Sequence, residues 1–134
     1  MPKRIGIVLG SFHKEMIQRQ LDAARAKAGE LGVEIVEEVW VPGSVEKPFA
    51  VSRLLRRDDI DGVVMLGVIE KGGTKHGFVM GQSLMHFAMN LSVVHDKPVC
   101  LGVLGPGIEP DQIESRLVPY AEKAIKAVNH MLEL

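Results

Sequence analysis

Val63-Val-Met-Leu-Gly-Val-Ile-Glu-Lys-Gly-Gly-Thr-Lys-His76 passes from an unbroken apolar run, through a pair of glycines, to the start of a helical pattern. A strand exposed on one face alternates polar and apolar residues, so a continuous run such as Val63 to Leu66 suits a strand covered on both faces. The same grammar surrounds it. Ile5 to Leu9, Ile35 to Val41 and Val99 to Leu104 read as three more buried strands, each followed by a segment of helical period.

After the first strand, Ile17, Leu21, Ala24, Ala28 and Leu31 recur at three- and four-residue steps and form one apolar stripe, which Gly32 ends. After the second, Pro48 suits a first helical turn, and Phe49, Val51, Leu54 and Leu55 continue to the charged stop at Arg56 to Asp59. A third helix is expected from just after His76 to about Val94, before Lys97-Pro98. The last begins after Pro110, with Asp111 as N-cap, and carries Ile113, Leu117, Tyr120, Ala124, Val128 and Met131. Pro119 removes a backbone donor inside that pattern, which predicts a kink or two shorter helices meeting near Leu117.

Strands alternating with helices give a parallel sheet with helices on both faces. The expected fold is a three-layer, doubly wound α/β sandwich of flavodoxin-like type with a four-stranded sheet. Residues 1–134 make one domain, since a chain of this length buries one core. In such folds ligands sit beyond the carboxyl ends of the strands, where neighbouring connections diverge. Function is therefore expected in the loops Gly10 to Lys14, Pro42 to Lys47, Gly67 to Gly77 and Gly105 to Asp111.

Composition narrows the chemistry. Sixteen Lys and Arg balance seventeen Asp and Glu, so no electrostatic case exists for a nucleic acid or a membrane surface as partner. A single cysteine, Cys100 in an apolar run, can form neither an internal disulfide nor a paired-thiolate metal site. The apolar stretch after the basic N-terminus is too short for a signal peptide, and no run reaches the ~20 residues of a membrane span, so a cytoplasmic protein is expected.

The glycine pair serves either a tight surface turn or an anion site. Adjacent glycines can bring N–H groups to a phosphate, Thr74 adds a hydroxyl, and the following helix N-terminus favours negative charge. The spacing of Gly67 and Gly72 approaches a P-loop, but Gly73-Thr74 stands where that motif requires Lys and Ser or Thr. No Gly-x-Gly-x-x-Gly follows the first strand, so a dinucleotide site has no support. His76 is placed for acid/base work beside such an anion, although four other histidines occur without an assigned task. Glu46 either complements a helix dipole or accepts hydrogen bonds from sugar-like hydroxyls. Phe12 can stack on a flat ring or pack in the core. Arg116 matches phosphate geometry, yet a lone helical arginine is usually solvated.

In this order the residues resemble the lumazine synthases, particularly archaeal ones, over nearly the whole chain. The resemblance is carried by Phe12, Pro42-Gly43-x-x-Glu46-x-Pro48, Gly72-x-Thr74-x-His76, Asp96-Lys97-Pro98-Val99, the Gly-Pro-Gly loop at 105–107 and Glu114-x-Arg116. It implies condensation of 5-amino-6-(D-ribitylamino)uracil with 3,4-dihydroxy-2-butanone 4-phosphate, giving 6,7-dimethyl-8-ribityllumazine, phosphate and water, with no metal or organic cofactor. It further implies that Phe12 stacks on the pyrimidine, Ser44, Val45 and Glu46 hold the ribityl chain, and Val68, Ile69 and Glu70 line the uracil side. Gly73 and Thr74 would hold phosphate with Arg116, and His76 would move protons. Leu101 and Arg116 would come from a neighbouring subunit of a homopentamer or a shell of pentamers.

The chain departs from the family pattern at several points. Gly77-Phe78 replaces the usual Phe-Asp after the histidine, His13 replaces a frequent Asn, and Glu70 and Lys47 stand at commonly apolar positions. Two rivals share the fold: an archaeal-type riboflavin synthase, whose substrate has no phosphate, and a non-catalytic flavin- or phosphate-binding module of flavodoxin type.

Overall fold

The computed structural model describes residues 2–134. Four strands, β1 (Lys3–Gly10), β2 (Val33–Val41), β3 (Gly62–Glu70) and β4 (Val99–Ile108), pair in parallel in the order β2-β1-β3-β4. The helices α1 (Lys14–Leu31) and α5 (Leu117–Met131) cover one face, and α2 (Lys47–Leu55) and α3 (His76–His95) cover the other. This is the doubly wound, flavodoxin-like α/β sandwich that the alternation of patterns predicts.

The stripes read from the sequence are the buried faces. Ile17, Leu21, Ala24 and Ala28 of α1 pack with Leu117, Ala121, Ala124, Ile125 and Val128 of α5 over Ile5, Ile7, Val64, Leu66 and Leu104. On the opposite face Val51, Leu54 and Leu55 of α2 and Leu84 and Ala88 of α3 cover Val8, Val63, Met65 and Val103. Each such Val, Leu, Ile or Met side chain contributes about 1.5–3 kcal/mol by leaving water, which makes these two clusters the main support of the fold.

Some expectations change. Only the two central strands are buried over most of their length; β2 and β4 are edge strands, and most of β2 is half-buried, with Glu34 exposed. An edge strand has a neighbour on one side only, so its side chains cannot all be enclosed. β3 continues to Glu70 and β4 to Ile108, because Val68 pairs with Leu104 and Glu70 with Ile108. Gly67, Val68 and Ile69 are therefore strand residues, and the third loop shrinks to residues 71–75.

The N-cap near residue 110 is Glu109 rather than Asp111. Its side chain and that of Gln112 exchange hydrogen bonds with each other's backbone N–H in a capping box, which satisfies donors at both positions. Pro119 divides the last segment as expected. A short α4 (Pro110–Ile113) and a 3-10 turn (Glu114–Arg116) precede α5, and Pro119 falls in the first turn of α5, where its missing N–H costs nothing. Buried Gln20 of α1 ties this junction down by donating to Gly102 O at 2.8 Å and Leu117 O at 3.3 Å. Lys97, in the Asp-Lys-Pro sequence, donates to Leu55 O and Arg57 O at 3.0 and 2.9 Å and so satisfies carbonyls at the end of α2. Among the described residues no helix is long and apolar enough to cross a membrane.

Candidate active site

From β1 the chain turns to β2 on one side, whereas β3 leads to β4 on the other, so the connections diverge beyond the carboxyl ends of β1 and β3. A crevice is the geometric consequence. A cavity of about 380 Å³ lies there, walled by the first loop, the turn at 42–47, the end of β3 and the start of α3.

The cavity gathers Phe12, Ser44, Val45, Glu46, Val68, Ile69, Glu70, Thr74 and His76, all singled out from the sequence. Phe12 is exposed, with its ring edge-on to His13 at 4.4 Å between centroids, so one aromatic face is available to a planar guest. Residues 44–46 form a 3-10 turn between β2 and α2, with Ser44 buried and Val45 exposed. Thr74 Oγ1 accepts a hydrogen bond from the backbone N–H of His76 at 3.3 Å, which folds the glycine loop onto the opening of α3. Gly72 has φ +64°, a conformation that costs a side-chain-bearing residue energy and bends the loop back toward the helix. No acidic side chain occupies the first turn of α3, so its free N–H groups and positive dipole end remain open to an anion.

Other candidates lie outside this chain's cavity. Gly73 sits between two lining residues without lining it. Leu101 is half-buried in β4 against the cluster under α2 and α3. Arg116 is folded back on its own segment, donating to Gln112 O at 2.9 Å and Ser115 Oγ at 3.4 Å. Among the described residues the cavity is lined by two lysines, Lys47 and Lys71, and by no arginine.

Two departures from the family pattern meet. His13, with φ +63°, brings Nε2 to 3.4 Å from Glu70 Oε2, off the line of a hydrogen bond. The two residues thus face one another and bring the first loop against the end of β3.

Lys47 is the residue that sequence reasoning missed. The residue is 1 % exposed, its ammonium sits 3.3 Å from Ser44 Oγ, and burial pulls its pKa down from the ordinary 10.5 to about 8. The available signal was its place at a commonly apolar position. Among the described residues no group of three or more His, Cys, Asp or Glu side chains is arranged to hold a metal ion.

Known proteins are similar to this chain over nearly its whole length. The family described as 6,7-dimethyl-8-ribityllumazine synthase matches residues 2–134. Curated proteins named 6,7-dimethyl-8-ribityllumazine synthase are similar throughout. Those of Staphylothermus marinus and Methanopyrus kandleri are each 42% identical over 129 residues, covering 96% of this chain and 86% and 91% of theirs. That of Picrophilus torridus is 37% identical over 131 residues, 98% of this chain and 96% of its own.

Proposed function

The chain belongs to the 6,7-dimethyl-8-ribityllumazine synthase family, and from that premise we propose how its residues carry out the condensation. The enzyme is a transferase of riboflavin biosynthesis that joins 5-amino-6-(D-ribitylamino)uracil to 3,4-dihydroxy-2-butanone 4-phosphate. In our reading all 134 residues serve one catalytic domain.

The observation that carries the reading is the convergence of Phe12, the 44–46 turn, Glu70, Thr74 and His76 on one cavity at the switch point of the sheet. The pyrimidine stacks on Phe12 and lies along Val68, Ile69 and Glu70. Its ribityl chain runs to Ser44, Val45 and Glu46, whose carboxylate accepts hydroxyl hydrogens. The phosphate settles on Gly73, Thr74 and the N-terminus of α3.

Holding both reactants in this way replaces a bimolecular encounter with an oriented one. The amine then attacks the ketone, and loss of water gives an imine. His76 takes and returns protons while the phosphate leaves, and attack of the ribitylamino nitrogen on the remaining carbonyl, with loss of a second water, closes the ring and completes the lumazine. Developing charge on the phosphate is met by the loop amides and a guanidinium.

No arginine lines the cavity of an isolated chain among the described residues, which supports a guanidinium arriving from elsewhere. In our reading Arg116 and Leu101 of an adjacent copy complete each site in a homopentamer, alone or within a shell. The surface of α3 supports such packing, since Phe78, Val79, Phe87, Met89, Val93 and Val94 are all exposed. A helix that leaves so many large apolar side chains in solvent calls for cover.

The test is to mix the purified protein with both reactants and follow lumazine absorbance. Wild type forms lumazine, Arg116→Ala raises KM for the phosphorylated reactant about 10–100-fold, and His76→Ala lowers kcat about 100-fold or more. Wild-type kinetics in both variants would show that these roles are wrongly assigned.

A further inference from the structure

Lys47 opens α2 but does not extend into solvent. Its side chain turns beneath the ends of β1 and β3, where glycines leave it room: a Cβ on Gly67 would stand 2.2 Å from Nζ and one on Gly10 3.5 Å from it. The residue lines the cavity from below. Its one side-chain hydrogen bond among the described residues goes to Ser44 Oγ at 3.3 Å, and no carboxylate there lies within 4.0 Å of the ammonium.

An ammonium has three donors, so most of its capacity is unused in the wall of a cavity sized for a small molecule. Burying such a group costs free energy unless partners complete its shell. A methionine of similar length would fill the same space without that cost, so packing alone does not account for the residue. The neighbouring Ser44 places Nζ beside the turn at 44–46.

We propose that Lys47 is a ligand-binding residue whose ammonium donates hydrogen bonds to hydroxyl oxygens of the ribityl chain, making the polyol a requirement for tight binding. The proposal rests on the assignment of that chain to the 44–46 turn. Lys47 is thereby a specificity residue, with a hydrophilic tail as the feature it reads. A site built to bond a hydroxyl discriminates strongly against an analogue that lacks it.

The test compares the dissociation constants of 6,7-dimethyl-8-ribityllumazine and of the same ring with methyl in place of ribityl, in wild type, Lys47→Met and Lys47→Gln. Wild type is expected to prefer the ribityl compound, Lys47→Met to lose about 10-fold or more of that preference, and Lys47→Gln, which keeps an uncharged donor, to fall between. KM for the ribitylated pyrimidine should rise in Lys47→Met while KM for the sugar phosphate stays put. An unchanged preference in a folded Lys47→Met or Lys47→Gln variant overturns the proposal, as does a wild type that does not distinguish the two rings. Failure of wild type to make lumazine overturns the synthase mechanism instead, and the binding comparison still decides the role of Lys47.

Discussion

Replacing Lys47 by methionine should make the folded protein more stable, although it removes a side chain from the candidate active site. Burial lowers the pKa of the amine from the ordinary 10.5 to about 8, which corresponds to about 3 kcal/mol against the charged form in the folded state. The unfolded chain then holds more protons than the folded one between pH 8 and 10.5, so this group makes stability rise with pH across that window. Below about pH 8 the full penalty is present in wild type and absent from Lys47→Met, where the chain length is matched and no charge is buried. The variant should therefore exceed wild type by about 3 kcal/mol at pH 7, and the two should converge by about pH 10.5. Urea denaturation at fixed protein concentration measures this, because an assembly's stability depends on concentration. Subtracting the two curves cancels other groups that titrate there, including the Cys100 thiol, which burial raises to about 11. A variant equal to or less stable than wild type at pH 7, or a difference that does not shrink with pH, would refute the reasoning.

Two further outcomes follow from the packing. Gly67→Ala places a methyl 2.2 Å from the Lys47 ammonium and forces the end of that side chain to swing aside, so it should cost about 1 kcal/mol and weaken ligand binding; in a Lys47→Met background the stability cost should be smaller, as a double-mutant cycle of denaturation midpoints would read. Ile125→Ala empties part of the fully buried seam between α1 and α5 and should cost about 2–5 kcal/mol in urea denaturation, with the KM values retained in whatever fraction stays folded.

Much of the architecture was legible because it rests on local periodicity. Ile17, Leu21, Ala24 and Ala28 could form an apolar stripe only as a helix, and Val63 to Leu66 could be satisfied only by cover on both faces. The ends of β3 and β4 were less legible, since Gly67 and Gly105 resemble punctuation until the ladder between the two strands carries them past those glycines. The cap at Glu109 was missed in favour of Asp111, because a reciprocal bond with Gln112 outweighs the general preference for Asp at that position.

The sequence by itself determined the alternation of strands and helices, the loops at the carboxyl edge and the family, because these depend on neighbours in the chain and on the order of short motifs. Only the tertiary structure decided that the first loop, the 44–46 turn and the start of α3 share one cavity. It alone turned Lys47 from a charge at a helix start into an ammonium beneath two strands. Whether a long cationic side chain reaches water or is enclosed depends on which backbones close around it, and here Gly10 and Gly67, 57 residues apart, leave the space that it fills.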